Sequence, residues 1–314
     1  MSSYQKHFIN IISEQLPEGV KLVDFLSDLV HLSKEACYRR IRCEVEFTLS
    51  EVVHISKALN INLTSLVIRE AGEKVTCNLR IIKENNVVDG YSKKLEAELN
   101  VLEGFESKSK HSLLMVSKEL PELLYFGSSG LMKLRLMKLQ LNQGVSSPKV
   151  FDQIELLPSL KKVQDAYWKA IQQFNIVLYL GPELLTGMLY DIEYFYKTDM
   201  LSLENKNVLI AEIAEILDLI RDIGSTGEYK GKKIELYISH LALELSHTCL
   251  VSDGLEATVL DLNYPNTLLS FDRTFNQAQT HRLQVIKRTS TLISQSGEIQ
   301  RTTYLNKHRE LLQS

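Results

Sequence analysis

Apolar residues recur at three- and four-residue steps through the first seventy positions, a spacing that places them on one side of an α-helix. Phe8, Ile9, Ile12 and Leu16 form one such set, ended by Pro17-Glu18-Gly19. Leu22, Phe25, Leu26, Leu29 and Val30 form the next, followed by a short His31-Leu32 turn. Ser33 then stands as an N-cap, with Glu35 in the first turn, where an acid suits the helix dipole. The third helix is therefore expected from about Lys34 to Arg42. Thr48 or Ser50 caps a fourth, with Val52, Val53, Ile55, Ser56 and Leu59 turned inward, and Asn60-Ile61-Asn62 breaks it. Leu63 to Ile68 reads as a short fifth helix.

Residues 72–90 lose the helical period and read as a connection, with a short extended piece at Leu79–Ile82. The period returns from Tyr91, with Leu95, Leu99, Leu102 and Phe105 on one stripe. ELPELLYFGSSG is a proline-bearing bend. Leu131–Leu141 suits helix or strand, with helix the better fit, and NQGVSSPK (142–149) is a loop and a candidate subdomain boundary. Residues 159–175, 182–200 and 204–223 read as three further helices, the pattern of a helical bundle. After GSTGEYKGKK the pattern changes: IELYISHLALELSH, LEATVLDL and NTLLSF are short apolar segments between turns, as in a small antiparallel sheet. Residues 273–288 and 291–312 return to helix.

Composition bounds the class without naming it. The 314 residues are 44% hydrophobic and 24% charged, ordinary for a soluble globular protein. No apolar run approaches the roughly 18 residues that span a bilayer, and the N-terminal stretch lacks a signal-peptide pattern. Cys37, Cys43, Cys77 and Cys249 show no metal-type spacing and read as reduced thiols. A cytoplasmic chain with no cofactor and no membrane partner is expected.

Charge is more informative locally than globally. The chain carries a formal net charge of −3, and residues 1–70 hold eight Lys/Arg against nine Asp/Glu. Yet Lys34, Arg39, Arg40 and Arg42 face Glu35 alone within 34–42. Helices two and three, joined by a tight turn, have the form of a helix-turn-helix whose second member reads DNA. On a helical wheel Cys37, Ile41 and the edge of Lys34 share one sector. Glu35, Tyr38, Arg39 and Arg42 share the opposite sector, with Arg40 on the flank. Arginine can donate two parallel bonds to guanine and glutamate can accept from cytosine. Ser33, Lys34 and Tyr38 can reach phosphate oxygens, as can the helix N-terminus. The plainer reading is a solvated charged face.

The stretch KLVDFLSDLVHLSKEACYRRIRCEVEFTLSEVVHISKALNINLTSLV (21–67) resembles the helix-turn-helix of phage-repressor-like bacterial regulators. It is closer still to the BetR-type variant and a set of Bacteroidetes regulators, whose signature resembles S-x-E-A-x-Y-R-R-I-R-G-E, an aromatic, a Ser/Thr-rich cap and E-x-x-x-I-A. Ser33, Glu35, Ala36, Tyr38, Arg39, Arg40, Ile41, Arg42, Glu44, Phe47, Glu51 and Ile55 match it. Cys43 stands where the family usually has Gly, which implies either an αL residue or a helix running on through Glu44. Ser56 stands where Ala is common. The tail resembles the family's S-T-L-I-S-x-x-S-E-x-x-R: Ser290, Thr291, Leu292, Ile293, Ser294, Glu298 and Arg301 fit, with Gly297 where Ser is frequent. The resemblance implies a transcription regulator that is not an enzyme, bound to double-stranded DNA.

Other constellations are weaker. His240, Glu244 and His247 would share a helix face as metal ligands, but the pattern there favours a strand, which separates them. YDIEYFY (190–196) and Trp168 suit an aromatic core better than a ligand pocket. SQSGE (294–298) has no histidine in a catalytic relation to it. No GxSxG, P-loop, GxGxxG or HExxH occurs.

The expected architecture is mostly α with a small β-sheet. A lambda-repressor-like helix-turn-helix domain (1–71) precedes a larger α+β regulatory domain (72–314). Base rates of symmetry suggest that the latter forms a homodimer, and it is a candidate sensor of an unidentified effector. The alternative is an adaptor that presents the same basic helix to an acidic protein.

Overall fold

The computed structural model describes residues 3–16, 19–59, 61, 63, 75–82, 86–105, 111–262 and 265–313. The chain divides into two compact units, residues 1–76 and 77–314. Of the fifth helix expected at 63–68 only Leu63 is described, in a turn, and residues 64–68 and the boundary expected at 71/72 lie outside the described residues.

In the first unit, α1 (Ser3–Gln15), α2 (Leu22–Val30), α3 (Lys34–Ile41) and α4 (Leu49–Leu59) pack around one small core. Phe8 and Ile12 of α1, Val23 and Leu26 of α2, Cys37 of α3 and Ile55 of α4 meet there. These are the inward positions of each periodic set. Phe47 from the α3–α4 loop lies edge-on to Phe8 at 5.9 Å between ring centres. Thr48 caps α4 in a reciprocal box: its Oγ1 accepts from Glu51 N at 3.2 Å, and Glu51 Oε2 accepts from Thr48 N at 2.9 Å.

The second unit is built on a nine-stranded sheet. Its strands are β1 (Asn78–Arg80), β2 (His111–Ser117), β3 (Asn175–Leu180), β4 (Glu228–Tyr229), β5 (Lys232–Ser239), β6 (His247–Ser252), β7 (Leu255–Asp261), β8 (Thr267–Ser270) and β9 (Ser290–Leu292). The order is β1-β8-β7-β6-β2-β3-β5-β4, with β9 also on β5. β2, β3 and β5 run parallel, and β6, β7, β8 and β1 extend the sheet antiparallel from β2. Helices α5 (Val87–Glu103), α6 (Glu122–Tyr125), α7 (Ser129–Asn142), α8 (Pro158–Ile171), α9 (Thr186–Lys197), α10 (Leu203–Thr226), α11 (Arg273–Arg288) and α12 (Glu298–Leu311) complete it. Apolar residues of α5, α7, α8 and α10 share a core with Leu113, Leu178 and Leu236 of the sheet. Leu283 and Ile286 of α11 pack with Val116, Tyr179 and Tyr237, which alternate with that set and so point to the other face.

This corrects two expectations. The segments read as a helical bundle are parts of a mixed α/β layer structure, and the expected small antiparallel sheet is one wing of a larger mixed one. The strands that change the reading are HSLLMVS and NIVLYL. Each centres on a continuous apolar run, Leu113–Val116 and Ile176–Leu180, because helices or sheet neighbours cover both faces, so they lack the alternation that marks a half-exposed strand. The loop at 142–149 lies within the second unit rather than at its edge.

The tail pattern acquires a structural meaning. Ser290–Leu292 form β9, Ile293 is fully buried, and Ser294 Oγ accepts from Leu236 N at 3.1 Å. Arg301 is 8% exposed, and its Nη1 donates to the carbonyls of Gly224, Ile293 and Ser296 at 3.0, 2.7 and 3.1 Å. Two of the three belong to the β9–α12 segment, and the third is in the last turn of α10, where the dipole favours a cation. A side chain at Gly224 would collide with Arg301 Cδ. Gly297 has φ +59° and caps α12, so the glycine there suits the backbone better than the family's serine.

Candidate nucleic-acid interface

α2 ends with His31 in the left-handed region (φ 54°), and three residues, His31, Leu32 and Ser33, separate it from α3. Ser27 Oγ donates to Leu32 O at 2.7 Å and closes the turn. Ser33 Oγ accepts from Ala36 N at 3.3 Å, as an N-cap does. Cys37, 1% exposed, anchors the inner side of α3.

The far end of α3 is set by Cys43. Its φ is +58°, its N–H donates to Arg40 O at 2.9 Å, and the N–H of Glu44 donates to Arg39 O at 2.8 Å. That pair of bonds is the Schellman termination, here made with cysteine where glycine is usual. The helix therefore stops at Ile41 with Arg42 as its C-cap, and the alternative of a helix continuing through Glu44 does not occur. Gln5 of α1 secures the exit: its Nε2 donates to Arg40 O and Val45 O at 2.9 and 2.8 Å, and its Oε1 accepts from Phe47 N at 3.3 Å.

All six residues expected at the interface, Ser33, Lys34, Glu35, Tyr38, Arg39 and Arg42, lie on the exposed side of this segment. The side chains of Arg39 and Arg42 are 55% and 54% exposed, and Tyr38 is 46% exposed. Arg40 behaves differently. Its Nε and Nη2 donate to both oxygens of Glu51 at 3.0 and 2.9 Å, and its side chain is only 13% exposed. Glu51 is partly desolvated, which opposes ionisation, but the bonds from Arg40 and Thr48 win and hold its carboxyl below the usual range.

The exposed cations have acidic neighbours that the local count of 34–42 omits. Lys34 Nζ lies 2.6 Å from Asp24 Oδ1 on α2, and their mutual hydrogen bond lowers the Asp24 pKa and raises that of Lys34. Arg42 reaches Glu44 at 2.8 Å and Glu35 at 3.6 Å, and Arg39 reaches Glu44 at 3.8 Å. Lys34, Arg39 and Arg42 are thus matched by Asp24, Glu35 and Glu44. Asp24 and Glu44 are the participants that reading α3 alone misses. Asp24 sits ten residues before Lys34 across a turn, and Glu44 sits just past the helix end; charge counted across the turn finds both.

The remaining candidates do not converge. β5 ends at Ser239 and residues 240–246 are irregular, so His240, Glu244 and His247 share no face. His240 Nε2 is 2.7 Å from Thr291 Oγ1, while His247 is buried. Tyr190 and Tyr194 are exposed on α9, Phe195 and Ile192 are buried, and Trp168 stacks edge-on to Tyr229 at 4.9 Å.

Fold and site together define a two-unit protein: a small helical unit presenting an N-capped helix with two exposed arginines, and a larger α/β unit. No family model and no curated protein matches the chain. A solved structure of TrmBL2, described as an archaeal chromatin protein that shows a novel mode of DNA binding, aligns over 93% of this chain and 94% of its own at 12% identity. Its TM-score is 0.27, so the likeness carries no argument about this chain. No described helix is long and apolar enough to cross a membrane.

Proposed function

We propose that the protein is a sequence-specific DNA-binding transcription regulator, in which α2 and α3 act as a helix-turn-helix and α3 enters the major groove. One observation carries this reading: Arg39 and Arg42 project on the side of the α3 segment opposite the buried Cys37, while Arg40 between them is committed to Glu51. Two guanidinium groups held on a rigid, capped helix suit bidentate contact with guanine, and Tyr38 and the Ser33 end suit the phosphates. Lys34 contacts phosphate by leaving Asp24, and Glu35 reads a base amine by leaving Arg42. Exposed ion pairs of this kind exchange partners at little cost. The second unit joins two copies, which sets two such helices about 34 Å apart on the duplex.

A gel shift of the full chain on the DNA upstream of its own gene tests the reading. Binding should respond to sequence, weaken on Arg39→Ala and Arg42→Ala, and strengthen on Glu44→Gln, which frees Arg39 and leaves Arg42 only its 3.6 Å contact with Glu35. Sequence-independent retention, or none, counts against it.

One observation favours a second reading, an adaptor for a protein partner. The exposed face sums to zero charge once Asp24 and Glu44 are counted, and a neutral ion-pair mosaic suits a protein surface as well as it suits a phosphate backbone. In that case the same gel shift shows no sequence response.

A further inference from the structure

Between the sheet and its helical cover, the second unit holds a half-open cavity of about 620 Å³, within the range of small-molecule pockets. Its floor is a cross-strand patch of β2, β6 and β7, where Met115 pairs with Thr248 and Thr248 with Val259. Its roof comes from α5, α6, α7 and α8. It opens at the carboxyl end of β2, the strand from which the order turns one way to β3 and the other way to β6. In open α/β sheets that is the place where ligands sit.

The lining is unlike a hydrophobic core. Glu122 of α6 accepts from Arg135 at 2.7 Å and from Lys94 at 3.3 Å, and Lys94 also pairs with Glu98 at 3.2 Å. At the rim Lys138 pairs with Asp191 at 2.6 Å. Each of these cations therefore has a carboxylate. The reverse does not hold. Asp261, at the end of β7 on the same face as Val259, has no ion pair or side-chain hydrogen bond among the described residues. Tyr125 and Tyr167, 2% and 8% exposed, also line the cavity, and neither phenol has a hydrogen-bond partner among the described residues. Asp261 is half-buried, and a carboxylate and two phenols left without protein partners on one cavity wall mark a place where something else can supply the bonds.

We infer that this cavity binds a small organic amine, with Asp261 and Glu98 accepting from its ammonium, the hydroxyls of Tyr125 and Tyr167 completing the contact, and the aromatic wall of Phe126 and Tyr167 against its carbon chain. The surplus of acceptors sets the sign. Among the described residues the lining holds four cationic side chains, the fourth being Lys118, against six carboxylates, which include Glu119 and Glu244. An anion would have to displace Glu122 from Arg135 and Lys94, whereas an ammonium meets a carboxylate without a partner. Burial pushes the carboxyls of Asp261 and Glu98 up, as expected for acids that lack a full counter-charge. The inference stands whether or not α3 binds DNA, since it concerns the second unit alone.

The test uses the full chain with four probes, putrescine, spermidine, glucose and succinate, in thermal unfolding and calorimetric titration. The amines should raise the melting temperature and bind, and glucose and succinate should not. Asp261→Asn and Tyr167→Phe should each weaken amine binding about 10–100-fold. Asp261→Asn should also melt no lower than the parent without ligand, because it removes a half-buried, unpartnered charge; a purely structural aspartate would lower it. Failure of both amines, a shift from glucose or succinate instead, or full amine affinity in Asp261→Asn overturns the proposal.

Discussion

The outer face of α3 and the cavity of the second unit are assembled from the same kinds of ion pair, and burial separates their behaviour. On α3 the pairs Lys34–Asp24, Arg42–Glu44 and Arg42–Glu35 join side chains that are between 43% and 75% exposed. Water and salt already compete for them, so a ligand can replace one partner at little cost. Around Glu122 the partners are 9–19% exposed. Two cations hold Glu122 down at about 2 although desolvation acts against its ionisation. Such a group cannot change partners cheaply. Recognition on the outside can then proceed by exchange, while recognition on the inside must use groups left over, such as Asp261.

The contrast is sharpest in stability. Glu122→Ala removes the carboxylate shared by the largely buried Lys94 and Arg135 and should cost about 3–5 kcal/mol, read from the denaturant midpoint of the full chain. A loss under about 1 kcal/mol would place that network in solvent. Next in size is an acid response. His308 is fully buried beside Tyr304, and neither ring nitrogen has a partner among the described residues. Desolvation lowers its pKa from 6.5 to about 4. A depressed value stabilises the fold above the unfolded pKa and ceases to do so as pH falls towards the folded one. Stability should therefore decline between 6.5 and about 4, ahead of Glu122, which titrates lower. His308→Leu should flatten that first decline, worth about 1–3 kcal/mol; an unchanged profile removes His308 as its cause.

Within the first unit, adjacent arginines restate the comparison on a smaller scale. Arg40→Ala breaks a bidentate, largely buried bond to Glu51 and should destabilise by about 1–3 kcal/mol. Arg39→Ala should change stability by less than about 0.5 kcal/mol. Equal effects in chemical denaturation would erase the distinction between them. Cys43→Gly, which relieves a left-handed cysteine, should add about 1 kcal/mol without altering α3.

Much of the first unit is legible in the sequence because its helices are short, amphipathic and punctuated. Ser33 as a cap, Cys37 as an inward residue, and the outward set of Glu35, Tyr38, Arg39 and Arg42 follow from a 3.6-residue period. The partners of those side chains are not legible in the same way. Asp24, Glu51 and Gln5 reach α3 from other helices, and nothing in the local period announces them. The second unit hides more. Its parallel strands at 111–117 and 175–180 are apolar runs flanked by helices, and a buried strand of six or seven residues looks like a helix fragment. The cavity is less visible still, since Lys94, Glu122, Tyr167 and Asp261 come from four separate elements.

The most direct test of the central claim is a fluorescence-anisotropy titration of the full chain on its own upstream DNA, repeated from 50 to 200 mM salt with Arg39→Ala and Arg40→Ala beside the parent. The account predicts steep salt dependence for the parent. It predicts a loss of about 1–3 kcal/mol of sequence discrimination in Arg39→Ala while that variant stays as stable as the parent. Equal discrimination in Arg39→Ala and the parent, on DNA that both bind, would contradict it.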